Sequence, residues 1–115
     1  MPPSEIIDSI LKRGAEGGLD CLSRSERKVF LISGAEVLCD MEGIDSFLNR
    51  YSDSISEAAD AFAEAGGAEI AESLRAINTR LPARPDELLD PTNVLVTARA
   101  GYDYDSVLRL LSHGV

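Results

Sequence analysis

Apolar residues recur every three or four positions through most of the chain, and glycines interrupt this pattern repeatedly. Such spacing places the apolar side chains of each segment on one face of a helix. The pattern predicts helices over about residues 5–13, 24–40, 44–51, 55–65, 68–79 and 103–112. It therefore indicates an all-α fold, a compact bundle of five to seven short helices forming a single domain over residues 1–115.

Capping signals support several of these boundaries. Ser23 with Glu26, and Ser54 with Glu57, have the S-x-x-E spacing of a capping box at a helix start. Ser4 is expected to cap the first helix, and glycines at 14, 43 and 66 are expected to end helices. Gly34 falls inside the second helix, where we expect it to allow another helix to approach closely.

Residues 93–100 are ambiguous, because the run Val94–Thr97 suits a strand by propensity. No second convincing strand exists to pair with it, and an isolated strand is unstable. We therefore predict a helix here, after a connection delimited by Pro82 and Pro85 and one helical turn over residues 86–89.

Composition narrows the functional classes. The 115 residues are 44% hydrophobic, enough for a core, and carry 11 basic against 20 acidic residues, a formal charge of −9. Direct binding of nucleic acid or of an anionic membrane is not expected, since both need clustered Lys and Arg. Without a recognisable secretion signal, Cys21 and Cys39 are expected to be reduced thiols in a cytoplasmic protein.

Catalytic chemistry is hard to find in this sequence. His113 is the sole histidine, and no zinc-ligand, nucleophile-elbow or phosphate-loop motif occurs. Asp103 and Asp105 alternate as in a calcium loop, but the glycine and distal Glu of that loop are missing. We therefore expect no enzymatic activity, no catalytic or metal-binding residues and no cofactor.

The acidic residues are concentrated in the middle of the chain. Residues 36–74 hold ten acids and one base, whereas the remainder holds ten of each. Four acids at the start of the fourth predicted helix and along it are spaced by four, three and four positions: Asp53, Glu57, Asp60 and Glu64. Four more acids flank this row: Glu36, Asp40, Glu42 and Asp45. Helical neighbours four positions apart lie about 6 Å from each other, comparable to successive phosphates of a nucleic-acid strand.

Three interpretations of this acidic face remain open. It could be a solvated surface that only aids solubility. It could imitate a phosphate row and dock on a basic, DNA-binding protein. It could also meet another basic protein, such as a toxin or regulator. A separate alternative is an immunity-type or structural interaction module whose partner meets an exposed apolar patch. A homodimer is compatible with each of these alternatives.

The stretch Val37–Leu48 resembles a small all-α bacterial family that includes a DNA mimic protein. Gly43 matches the second glycine of the family's Gly-Gly-Phe motif, and Phe47 and Leu48 match its aromatic pair loosely. Glu42, Ile44 and Ser46 depart from that motif, so the chain resembles a divergent member. The junction Ala65-Gly66-Gly67, followed by Ala71, is similar to the family's Ile-Gly-Ala junction.

The resemblance covers about residues 20–112 and implies an all-α fold. It also implies a decoy role in which the acidic face occupies the DNA-binding surface of a basic regulator. The motif itself transfers no catalytic residue, because its glycine break and inward rings are structural.

Overall fold

The computed structural model describes residues 3–80 and 86–113. Side chains are described over the same ranges, except at positions 3, 4, 86, 104, 112 and 113. Seven α-helices occur in this part of the chain: α1 (Pro3–Gly17), α2 (Arg24–Met41), α3 (Ile44–Arg50), α4 (Ile55–Ala65), α5 (Ala68–Arg80), α6 (Asp86–Thr97) and α7 (Tyr104–His113). Short 3₁₀ segments, Leu19–Cys21 and Ser52–Ser54, precede α2 and α4. No strand occurs among the described residues, which confirms the all-α prediction.

Helix α2 is the centre of the bundle. Four consecutive apolar residues, Val29 to Ile32, are all buried, so α2 is covered on every side along this stretch. It packs against α1, α3, α4, α6 and α7, while α5 packs on α4 and α6. A single buried cluster draws side chains from all seven helices. Val37 and Met41 are the large apolar side chains of α2 that remain exposed.

Helix α1 is longer than predicted because Gly14 does not end it. The helix continues to Gly17, and Gly14 lies against Phe30 of α2. A Cβ at Gly14 would overlap the Phe30 ring, so this glycine permits close packing of two helices. The start of α1 at Pro3 also places Ser4 within the helix instead of at its N-cap.

The predicted helical turn at residues 86–89 and most of the predicted helix at 93–100 belong to one helix, α6, which contains Pro91 and ends at Thr97, before a turn at residues 98–100. The buried Thr92 hydroxyl donates a hydrogen bond to the Leu88 carbonyl at 2.6 Å, beside the proline. The expected connection at Pro82 and Pro85 lies outside the described residues.

One of the two predicted capping boxes is present. The Glu26 backbone N–H donates to the Ser23 hydroxyl, and the Ser23 backbone N–H donates to the Glu26 carboxylate at 2.9 Å. Hydrogen bonds from Arg13 and from the Ser23 backbone lower the pKa of Glu26. The second capping box is absent, because Ser54 makes no side-chain cap bond and Glu57 is bound by Arg27 instead.

Gly34 does not mark a close helix contact, contrary to the sequence prediction. A Cβ at this position would meet no atom within 4 Å. Gly34→Ala should therefore stabilise the protein by about 0.5–1 kcal/mol, because alanine lowers the backbone entropy of the unfolded chain without a clash. Urea unfolding would show a higher midpoint for the variant. A lower midpoint would mean that another element fills this space.

Candidate partner-binding surfaces

Three acids of the predicted row lie together on α4, in one wide groove between α2, α4 and α5. Glu57, Asp60 and Glu64 line this groove, whose volume is about 820 Å³. The same groove is lined by four bases: Arg24, Arg27, Lys28 and Arg75. Its charge is therefore mixed, whereas the sequence predicted a negative face.

Arg27 forms a bidentate ion pair in this groove. Its guanidinium donates two hydrogen bonds of 2.8 Å, one to each carboxylate oxygen of Glu57. Both side chains are about one-third exposed, and Asp20 lies 3.8 Å from the same guanidinium. A bidentate pair of this geometry fixes both side chains and joins α2 to α4.

The next two acids of the row are also paired. Lys28 lies 2.6 Å from Glu64, and Arg75 of α5 lies 2.8 Å from Asp60. These pairs join α4 to the helices on either side of it. The charge of the α4 row is thus neutralised within the molecule, and a partner would have to displace these bases to use it.

Glu36 is engaged inside the molecule as well. Its carboxylate accepts hydrogen bonds from the Tyr102 hydroxyl at 2.8 Å and from Arg99 at 3.1 Å, and its side chain is only 16% exposed. Burial and the neighbouring Glu36 charge raise the pKa of Tyr102 above its usual range. Arg99 has a left-handed backbone conformation, with φ of 51°. This network ties α2 to the connection before α7.

The remaining predicted acids lie at the end of α2, at the start of α3 and in the 3₁₀ segment between α3 and α4. Asp40, Glu42 and Asp53 are exposed and form no ion pair with any residue of the described chain. We call these three residues the acidic corner. Asp45, in the first turn of α3, is exposed and lies between them in sequence. The eight predicted acids are thus divided among the mixed groove, the Glu36 network and the stretch from the end of α2 to the 3₁₀ segment before α4.

The cysteines are free thiols, as predicted. Cys21 is exposed and Cys39 is buried beside the acidic corner. Burial, together with the nearby charges of Asp40 and Glu36, raises the pKa of Cys39 to about 12. Cys39 is therefore a neutral core residue at physiological pH.

Sequence reasoning missed the bases that neutralise the α4 row. Arg24, Arg27 and Lys28 stand at spacings of three and four at the start of α2, a pattern that places them on one helix face. That spacing could have revealed the bases. The acids of α4 have the same spacing, and a comparison of the two patterns would have indicated helix faces of complementary charge.

Two further observations bear on the class of site. In the part of the chain that the structure describes, no group of three or more His, Cys, Asp or Glu could hold a metal ion. No helix there is both long and apolar enough to cross a membrane.

A comparison with known protein families agrees with this all-α fold. A family model described as DMP19-like protein matches residues 20–105 of this small helical protein. The match covers most of the chain, so the protein belongs to the DMP19-like family, which confirms the resemblance seen in residues 37–48. No curated protein and no solved structure matches significantly.

Proposed function

We propose that this protein acts by binding, without catalysing a reaction, and that it docks on the basic surface of a DNA-binding regulator as a decoy for DNA. The main support for this proposal is that some of the predicted acids form ion pairs with bases, whereas others form none with the described part of the chain. The acidic corner keeps exposed carboxylates that no base of the described chain neutralises.

The location of the corner supports this proposal in two ways. Residues 40–53 contain four acids and one base, Arg50, so this short stretch contributes strongly to the overall charge of −9. It also overlaps the stretch Val37–Leu48 through which the chain resembles its family. Exposed carboxylates attract a basic surface over about 10 Å at 0.1 M salt, which speeds encounter and sets orientation.

In this proposal the acids of the α4 row have a structural role, whereas their spacing predicted a role in docking. Its bidentate and monodentate pairs join helices, and breaking them would cost the stability of the bundle. We therefore assign docking to the acidic corner and structural pairing to Glu57, Asp60 and Glu64.

Elution with DNA tests the decoy role. The protein is immobilised, incubated with extract of its host at low salt, and washed with duplex DNA in one sample and with 0.5 M NaCl in another. A DNA mimic should release the same basic protein in both washes, because DNA and decoy compete for one surface.

Other outcomes separate the alternatives. Release by salt and not by DNA would contradict the decoy and favour another basic partner. Retention in both washes would favour an interaction module that binds through apolar contacts. Capture of no basic protein at low salt would leave solubility as the role of the acidic residues.

A further inference from the structure

Two depressions adjoin each other along α2, where α1 packs on it. The first has a volume of about 240 Å³ and is mainly apolar, with Phe30, Gly34 and Tyr51 among its lining residues. The second has a volume of about 180 Å³ and contains carboxylates. Leu11 and Val37 line both depressions, so they form one continuous surface, here called the α1–α2 groove.

The apolar end of the groove is open to a partner. Gly34 leaves space there, because no atom lies within 4 Å of the position its Cβ would occupy. Val37 is 46% exposed, and Met41, one helical turn further along α2, is 76% exposed. Large apolar side chains exposed together on one helix are typical of an interaction surface.

Three carboxylates and one base, Arg99, line the acidic end, so negative charge is in excess there. Asp8 and Asp40 line it and form no ion pair with any described residue, whereas Glu36 is bound by Arg99 and Tyr102. A positively charged side chain placed here would meet two exposed carboxylates beside an apolar wall.

We propose that the α1–α2 groove receives a basic amphipathic helix of a partner protein, with an apolar side chain over Gly34 and a Lys or Arg between Asp8 and Asp40. Adjoining depressions suit side chains four positions apart on a helix, which lie about 6 Å from each other. The proposal deepens the proposed function, on which it rests for the partner's positive charge.

Charge complementarity is the argument for a basic helix, and not a second copy, as the occupant. Two copies, each with a formal charge of −9, repel each other at low salt, whereas a basic helix is attracted to the acidic end. Each depression is also of side-chain size, as expected for a surface that receives individual side chains of a helix.

The probe for this proposal is a synthetic 18-residue helix of Leu, Lys and Ala, labelled with fluorescein, with Leu and Lys four positions apart on one face. Two control peptides have the same composition in scrambled order, or Glu in place of Lys. We expect fluorescence anisotropy to show binding of the first peptide at least tenfold tighter than of either control. Equal binding of the scrambled peptide would overturn the proposal, because attraction would then need no groove.

Variants of the protein test the location. Gly34→Leu fills the apolar depression and should weaken peptide binding at least tenfold, with thermal unfolding showing that the variant is folded. Gly34→Ala, which adds a single methyl group, provides a second variant that keeps the site open. Asp8→Asn with Asp40→Asn should weaken binding more than the matched pair Glu72→Gln with Asp90→Asn. Unchanged binding by Gly34→Leu, or equal effects of the two pairs, would overturn the assignment.

Two measurements separate this proposal from its alternatives. Sedimentation of a wild-type dimer that Gly34→Leu converts to a monomer would identify a second copy as the occupant and overturn the proposal. If Gly34→Leu captures the DNA-eluted partner as well as wild type does, the groove proposal fails and the decoy role stands. If the peptide binds in the groove and no DNA-eluted partner exists, the decoy role fails and the groove assignment survives for another basic helix.

Discussion

Replacing Gly66 by alanine should destabilise the protein by about 3 kcal/mol or more. Gly66 ends α4 with φ of 109°, a conformation that alanine adopts only with strain. Its Cβ would also lie 2.7 Å from the Gly101 carbonyl oxygen, a backbone atom with little freedom to move. Denaturant unfolding at constant temperature measures the loss.

Gly18→Ala is the matched control for this prediction. Gly18 also has a positive φ, 80°, but a Cβ there would meet no atom within 4 Å. It should lose only the strain component, about 1 kcal/mol. Equal losses in Gly18→Ala and Gly66→Ala would contradict the close approach of Gly66 and Gly101.

Glu57→Lys should destabilise the protein by about 2 kcal/mol or more, because it replaces a bidentate partner of Arg27 with a second cation. Asp53→Lys makes the same change of charge four positions earlier, at an exposed residue that forms no ion pair with the described part of the chain, and should cost less than about 0.5 kcal/mol.

A charge-swapped pair checks the cause of the Glu57 effect. Arg27→Glu combined with Glu57→Arg should recover part of the stability that either single variant loses, as a double-mutant cycle in urea would show. Additive losses in the double variant would indicate that Arg27 and Glu57 act independently, contrary to the observed geometry.

The fold could be predicted from sequence because its signals are local. The Ser23 capping box, the stripe Ile44–Phe47–Leu48 and the terminating Gly66 each act within one or two helical turns. The errors arose where packing overrides local preference. Gly14 stays helical because Phe30 packs on it, and α6 contains Pro91 without a break at that position.

The candidate site could be predicted only in part, for a different physical reason. Periodicity places Glu57, Asp60 and Glu64 on one face, and the structure brings these three together. Their counter-charges come from positions thirty residues away for Arg27 and fifteen for Arg75. Which charges meet depends on how helices pack, and a linear pattern of acids does not contain that information. The acidic corner is the set of predicted acids that packing leaves exposed and unpaired in the described chain.

The central claim is that the partner binds to the acidic corner and does not respond only to the total charge of the protein. Two triple variants test this claim most directly. The first variant combines Asp40→Lys, Glu42→Lys and Asp53→Lys, and the second combines Glu69→Lys, Glu72→Lys and Asp90→Lys. Each variant reverses three exposed acids and changes the formal charge from −9 to −3, by two per residue. Binding of the DNA-eluted partner at low salt should weaken at least tenfold in the first variant and by less than threefold in the second. Equal weakening in both variants would contradict the account, because it would show that the partner responds to net charge alone.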